Sequence, residues 1–193
     1  RMSGGLSLSY RFGAFQVKNY FSYTYTKSEE SPYGSFSDYT SKLPYDEYLD
    51  ENGNYLEQVG GRLTENNPVE SHTERNDETT RKHLLGYGKV ELSIIDGLKA
   101  TTNLSYEYNS NQDYYYRPSY VYKVTDGGYA KRYNEEYTNK QLEVFLNYDK
   151  TFNKIHRIGA MVGYSYLDYS FETLKAERRK FDTDDFLWNN LGA

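Results

Sequence analysis

The chain has 193 residues, no cysteine, 24 tyrosines, a formal net charge of −5 and a mean hydropathy of −0.94. That length suits one sizeable domain, and the lack of cysteine excludes a disulfide framework and any Cys-ligated metal site. There is no apolar run long enough for a transmembrane helix. Between Ser28 and Glu78, 13 acidic residues stand against Lys42, Arg62 and Arg75. No basic stripe with interleaved aromatics occurs, which argues against nucleic acid as a partner.

The opening Arg1-Met2-Ser3-Gly4-Gly5 leads straight into a strand pattern rather than a signal peptide, as in an internal piece of a longer protein. Leu6, Leu8, Tyr10 and Phe12 alternate with Ser7, Ser9 and Arg11. After Gly13-Ala14, Phe15, Val17, Asn19, Phe21, Tyr23 and Tyr25 alternate with polar residues and Tyr20. The apolar faces change parity across this turn, so the loop has an even length. Gly13-Ala14 fits a type II′ turn that pairs Phe12 with Phe15, Tyr10 with Val17 and Leu6 with Phe21.

A long connection follows, about 27–79, with no sustained periodicity and with three of the four prolines, Pro32, Pro44 and Pro68. Within it, Tyr48 to Leu56 reads as a small hairpin turning at Asn52-Gly53. Asp50, Asn52 and Asn54 have the alternate spacing of a calcium loop, but the glycine is one place off and position twelve is Gly61; the turn is the better reading.

The strongest signal runs from Leu84 to Tyr108. Leu84, Gly86, Gly88, Val90, Leu92 and Ile94 share one face, and Leu98, Ala100, Thr102, Leu104, Tyr106 and Tyr108 share the matching one. Period-two alternation either side of Asp96-Gly97 is a hairpin. Equal parity predicts a three-residue loop, Ile95-Asp96-Gly97, with Gly97 in the left-handed region. A one-residue slip would turn every side chain to the wrong face.

A second long connection, about 109–136, is rich in tyrosine, with Tyr114, Tyr115 and Tyr116 in succession. Leu142, Val144, Leu146 and Tyr148 then mark a fifth strand. An odd-length turn near Asn153-Lys154 leads to a sixth, carrying Ile158, Ala160, Val162, Tyr164 and Tyr166. The segment 168–193 reads as a third long loop with the sole Trp, Trp188. Pro118, the fourth proline, lies in a connection, so no proline falls within any of these strands, as a hydrogen-bonded ladder requires.

These features predict an all-β, antiparallel up-and-down meander of about six strands. Short turns at one end and long polar loops at the other are the asymmetry of an outer-membrane barrel. The aromatics fall at fixed heights on the apolar face: Tyr23, Tyr25, Tyr106, Tyr108, Tyr164 and Tyr166 toward the long loops, and Phe12 and Phe15 near the short turns. They are expected to form the membrane girdles. Phe15 to Tyr25, at ~3.3 Å per residue and ~40° of tilt, spans about 25 Å, the height of a lipid-facing band. Six strands cannot close, so the expectation is a fragment of a larger transmembrane barrel, with the three long connections extracellular. A soluble β-sandwich is the alternative.

The stretch from Asn19 to Tyr39, with Leu43-Pro44-Tyr45, Asp50-Glu51-Asn52-Gly53, Asn66-Asn67-Pro68, Ile95-Asp96-Gly97-Leu98 and Tyr148-Asp149-Lys150-Thr151-Phe152, resembles the SusC/RagA family of TonB-linked outer-membrane transporters. The resemblance implies a plugged barrel of about 22 strands in the outer membrane of a Gram-negative bacterium. It implies uptake of large nutrients, glycans or peptides, with a SusD-like surface lipoprotein as lid and energy from the TonB complex. No plug and no TonB-contacting segment can be recognised in these residues.

Outer-membrane lipid, the lipoprotein, the TonB complex (through parts outside this sequence) and a glycan or peptide are thus the expected partners, with no cofactor and no metal. Tyr114, Tyr115 and Tyr116 are the candidate ligand-binding residues, because amphipathic rings suit sugars and peptides. Tyrosine as loop filler is the competing explanation. A passive porin or adhesin barrel and a secreted carbohydrate-binding sandwich are the rival functions. Catalysis is not expected: Asp46-Glu47 and Asp184-Asp185 read as solvated loop charge, and His72, His83 and His156 are scattered.

Overall fold

The computed structural model describes residues 1–29, 43, 45–56, 59, 67–121 and 127–192. Six strands form one antiparallel sheet in chain order: β1 (Met2–Phe12), β2 (Phe15–Glu29), β3 (Asn76–Ile95), β4 (Leu98–Arg117), β5 (Tyr129–Phe152) and β6 (His156–Arg179). Among the described residues a short helix, α1 (Pro68–Thr73), precedes β3, and a 3₁₀ turn (Leu187–Asn189) follows β6.

Turn chemistry sets each short connection. β1 and β2 pair as expected, Phe12 with Phe15, Tyr10 with Val17 and Leu6 with Phe21. Gly13 has φ 55° while Ala14 keeps a negative φ, the type II′ pattern. At the β3–β4 turn Gly97 has φ 86°. Ile95 counts with the strand here, but the parity is the expected one. Tyr87 Oη donates to Asn103 Oδ1 at 3.2 Å and His83 pairs with Glu107 at 3.2 Å, odd residue with odd. The β5–β6 turn has the expected odd length, Asn153 to Ile155, with Asn153 and Lys154 at positive φ.

The strands outrun the expected loops. β3 starts at Asn76, β4 continues to Arg117, β5 starts at Tyr129 and β6 reaches Arg179, so the bounds 27–79, 109–136 and 168–193 are too wide. The ladder continues where both faces are polar or aromatic, and without an apolar face the period-two signal disappears. Polar pairs hold these ends: Lys27 with Glu78 at 2.8 Å, Thr79 Oγ1 to Asp113 Oδ1 at 2.9 Å and Tyr129 Oη to Glu177 Oε2 at 3.1 Å. The motif residues from Glu30 to Tyr39, with Pro44 and Asn66, lie outside the described residues.

Two compact units can be distinguished. The first comprises Arg1–Thr26, Arg81–Ser110 and Glu135–Glu172. Among the described residues no second layer covers its apolar face: Leu8, Ile94, Leu104, Ile158, Val162 and Tyr164 are all exposed. A contiguous apolar surface of this kind belongs against a partner or lipid, whereas a sandwich would cover it with a second sheet. The opposite face is polar and linked: Asn103 Nδ2 and Gln141 Nε2 each donate to a Glu143 carboxylate oxygen, at 3.0 and 2.9 Å. Of the expected girdle residues, Phe12, Phe15, Tyr23, Tyr106, Tyr164 and Tyr166 are exposed on the apolar face, and Tyr25 and Tyr108 are half-buried.

The second unit comprises Lys27–Thr80, Asn111–Asn134 and Thr173–Ala193. Among the described residues, the buried apolar side chains Val59, Tyr116, Val121 and Ala130 lie here. The small hairpin is present, with Leu49 bridged to Tyr55 and Gly53 at φ 84°. Asp50 accepts from the Asn52 and Asn54 amides at 2.9 and 2.8 Å and from Asn54 Nδ2 at 2.9 Å. Its carboxylate thus holds the turn.

Candidate ligand-contact site

β4 delivers the three adjacent tyrosines at its far end, and alternation puts Tyr115 on the face opposite Tyr114 and Tyr116. Tyr116 goes into the core of the second unit. It is 1% exposed, its ring lies 5.8 Å from Phe181, and its hydroxyl donates to Asp184 Oδ1 at 2.5 Å. Tyr114 is half-buried, tilted against Trp188 at 5.6 Å, with the Arg132 guanidinium 4.9 Å from its centroid. Tyr115 faces Tyr129 at 5.7 Å, and the Arg179 guanidinium lies 5.0 Å from the Tyr129 ring.

Two carboxylates anchor the surrounding loops. Asp184, read from sequence as solvated charge, is instead half-buried and accepts from the Ser119 amide at 3.1 Å and Ser119 Oγ at 2.7 Å as well as from Tyr116. Burial alone would raise its pKa, but the bonds from Ser119 and Tyr116 outweigh burial and hold it below the ordinary 3.8. Burial and the adjacent Asp184 push the Tyr116 phenol up. Glu74 accepts from Tyr55 Oη at 3.0 Å and Tyr120 Oη at 2.7 Å. Burial of its hydroxyl end and the Glu74 carboxylate push Tyr120 up to about 12, although the residue as a whole is 61% exposed.

Asn67 fixes the approach to this cluster. Fully buried, it caps α1 by accepting from the Val69 and Glu70 amides at 3.0 and 3.3 Å, and donates to Tyr48 O and Leu56 O at 2.7 and 3.1 Å. Asn before Pro at a helix start is a readable signal, yet six residues of helix inside an acidic connection show no periodicity. Trp188, Arg132, Glu74 and Asp184 carry no local motif; their roles come from the fold.

The arrangement offers an aromatic platform, Tyr114 and Trp188, bordered by the Arg132 guanidinium. It has the composition of a surface for amphipathic ligands.

No protein-family model and no curated protein matches the sequence. Among solved structures, the chain is similar to "Structure of the RagAB peptide transporter", with a TM-score of 0.75 and 17% identity over 99% of this chain and 22% of that one. The RagAB peptide importer in its closed-closed state gives a TM-score of 0.74 at 18% identity, and in its open-open state 0.74 at 17%, again over 99% of this chain and 22% of those. The chain spans about a fifth of the length of these structures. At such identities the likeness is one of fold: the chain folds like a section of the RagAB transporter chain.

Proposed function

We propose that this chain is a section of an outer-membrane active transporter of the SusC/RagA type, importing glycans or peptides in a Gram-negative bacterium. The observation that carries the reading is the open six-stranded meander with an uncovered apolar face, which superposes along 99% of its length on a transporter chain. In this reading the apolar face of the first unit contacts lipid and the second unit lies outside the cell. Phe12 and Phe15 form one girdle; Tyr23, Tyr25, Tyr106, Tyr108, Tyr164 and Tyr166 form the other. A SusD-like lipoprotein covers the outer side and TonB supplies the energy. Of the three candidate tyrosines, Tyr114 and Tyr115 contact the ligand, while Tyr116 is buried against Phe181. The chain has no enzymatic role.

The test is uptake of labelled oligosaccharides and oligopeptides by cells producing the intact protein, with and without the TonB complex. Uptake that persists without TonB would favour the passive porin. Changing Tyr114 and Tyr115 to Ser, with Tyr116 left in place, should weaken ligand affinity. Weakened lipoprotein association at unchanged ligand affinity would make both residues structural.

A further inference from the structure

Along β6 the two faces exchange character past Tyr166. On the apolar face Val162, Tyr164 and Tyr166 give way to Asp168, Ser170 and Glu172, while on the opposite face Gly163 and Ser165 give way to Leu167, Tyr169 and Phe171. In the membrane reading the first face leaves lipid at this height and turns polar for water. The opposite face does the reverse, and all three of its apolar side chains are more than half exposed. A patch of this kind on an otherwise polar face marks a contact surface. Beside it, on the same face, stands a carboxylate. Glu107 Oε1 accepts from Tyr137 Oη at 3.2 Å and from Asn109 Nδ2 at 3.3 Å, and pairs with His83 Nε2 at 3.2 Å. Oε2 takes no part in these bonds. His83 carries charge only when protonated, and among the described residues no lysine or arginine pairs with Glu107. Tyr137 joins carboxylate and strip: its hydroxyl holds Glu107 and its ring lies 6.2 Å from that of Tyr169.

We infer that this face binds a peptide ligand through a basic side chain flanked by apolar ones. The ammonium or guanidinium donates to Glu107 Oε2 and rests against the Tyr137 and Tyr169 rings, where cation–π attraction adds to the ion pair. The flanking apolar side chains lie on Leu167 and Phe171. Spacing supports an extended peptide, because side chains on one face of a strand repeat every ~6.6 Å, as do alternate side chains of an extended ligand. A neutral oligosaccharide offers neither a cation for Glu107 nor an aliphatic chain for Leu167. Charge and apolar strip together therefore select the peptide.

This inference rests on the proposed import role and narrows its substrate, and two measurements keep the two apart. The purified intact protein is titrated with labelled Ala-Leu-Lys-Leu-Ala, acetylated and amidated at its ends, with the same peptide carrying norleucine for lysine, and with maltopentaose. The lysine peptide should bind about tenfold more tightly than the norleucine peptide. Glu107→Gln, which keeps an acceptor for Tyr137, should remove that difference and leave the norleucine peptide's affinity unchanged. Leu167→Ser combined with Phe171→Ser should weaken both peptides. Equal affinity for the two peptides overturns the subsite, as does a lysine preference that survives Glu107→Gln. Affinities untouched by the double serine variant also overturn it, the strip then packing against another part of the protein. Maltopentaose binding more tightly than either peptide overturns it in favour of a glycan surface. Uptake by cells producing the intact protein is the second measurement. Loss of all TonB-dependent uptake of oligopeptides and oligosaccharides overturns the import role and the subsite with it, whereas uptake indifferent to the lysine overturns the subsite alone.

Discussion

The Tyr116 hydroxyl donates to the Asp184 carboxylate at 2.5 Å, joining the end of β4 to the segment after β6 across 68 residues of chain. This contact, with the two bonds from Ser119, closes the core of the second unit.

Removing it tests how much order it carries. Tyr116→Phe should cost about 1–3 kcal/mol, because a half-buried carboxylate loses one donor. Limited proteolysis of the intact protein should then cut the segment after β6 sooner. Acid should have the same effect. Asp184 sits below its ordinary 3.8 in the folded state, so its contribution is fully present above that value and is lost as pH falls through the folded pKa. Cleavage by an acid-active protease should rise in the wild type as pH drops below 3.8, converging on the rate of Asp184→Asn.

Facing on the sheet is tested by one pair of neighbours. Leu92 is 41% exposed on the apolar face of β3, and Ser93 points the other way. Leu92→Arg should destabilise the intact protein in liposomes by about 2–4 kcal/mol, the cost of a charge facing mid-bilayer lipid. Ser93→Arg should cost much less in the same urea titration. Equal costs would show that the faces are misassigned.

Gly97 is required both by its φ of 86° and by its neighbours, since an added Cβ would lie 2.8 Å from Asp149 O and 3.0 Å from Lys150 Cβ. The Asp149 amide donates to Gly97 O at 2.8 Å, so the turn sits tightly against β5. Gly97→Ala should cost about 1–3 kcal/mol from backbone strain alone, and the close approach adds to it. Urea unfolding of the two proteins measures the difference.

β1 and β6 each have a single strand neighbour in the sheet, and open ladders in hydrocarbon leave backbone groups unsatisfied. The isolated 193-residue chain should therefore give no stable conductance steps in planar bilayers. Reproducible single-channel openings would contradict the open-sheet reading.

What the sequence by itself determined is the central part of each strand and how the strands meet. Where one face is apolar and the other polar, parity dictates the loop length. Gly13, Gly97 and the Asn153-Lys154 turn then leave one register per hairpin, and β1–β2 pairs residue for residue as the parity requires. Past that region the contrast between faces ends, so the strand ends at Asn76, Arg117, Tyr129 and Arg179 carried no period-two mark, although hydrogen bonding continues there. Only the tertiary structure decided which of three adjacent tyrosines is core. Tyr116 is buried because Phe181 and Asp184 arrive from after β6, while Tyr114 meets Trp188 and Arg132 and Tyr115 meets Tyr129. Period two could say that neighbours diverge. It could not say what waits on either side, because those partners are brought in by chain path, not by spacing.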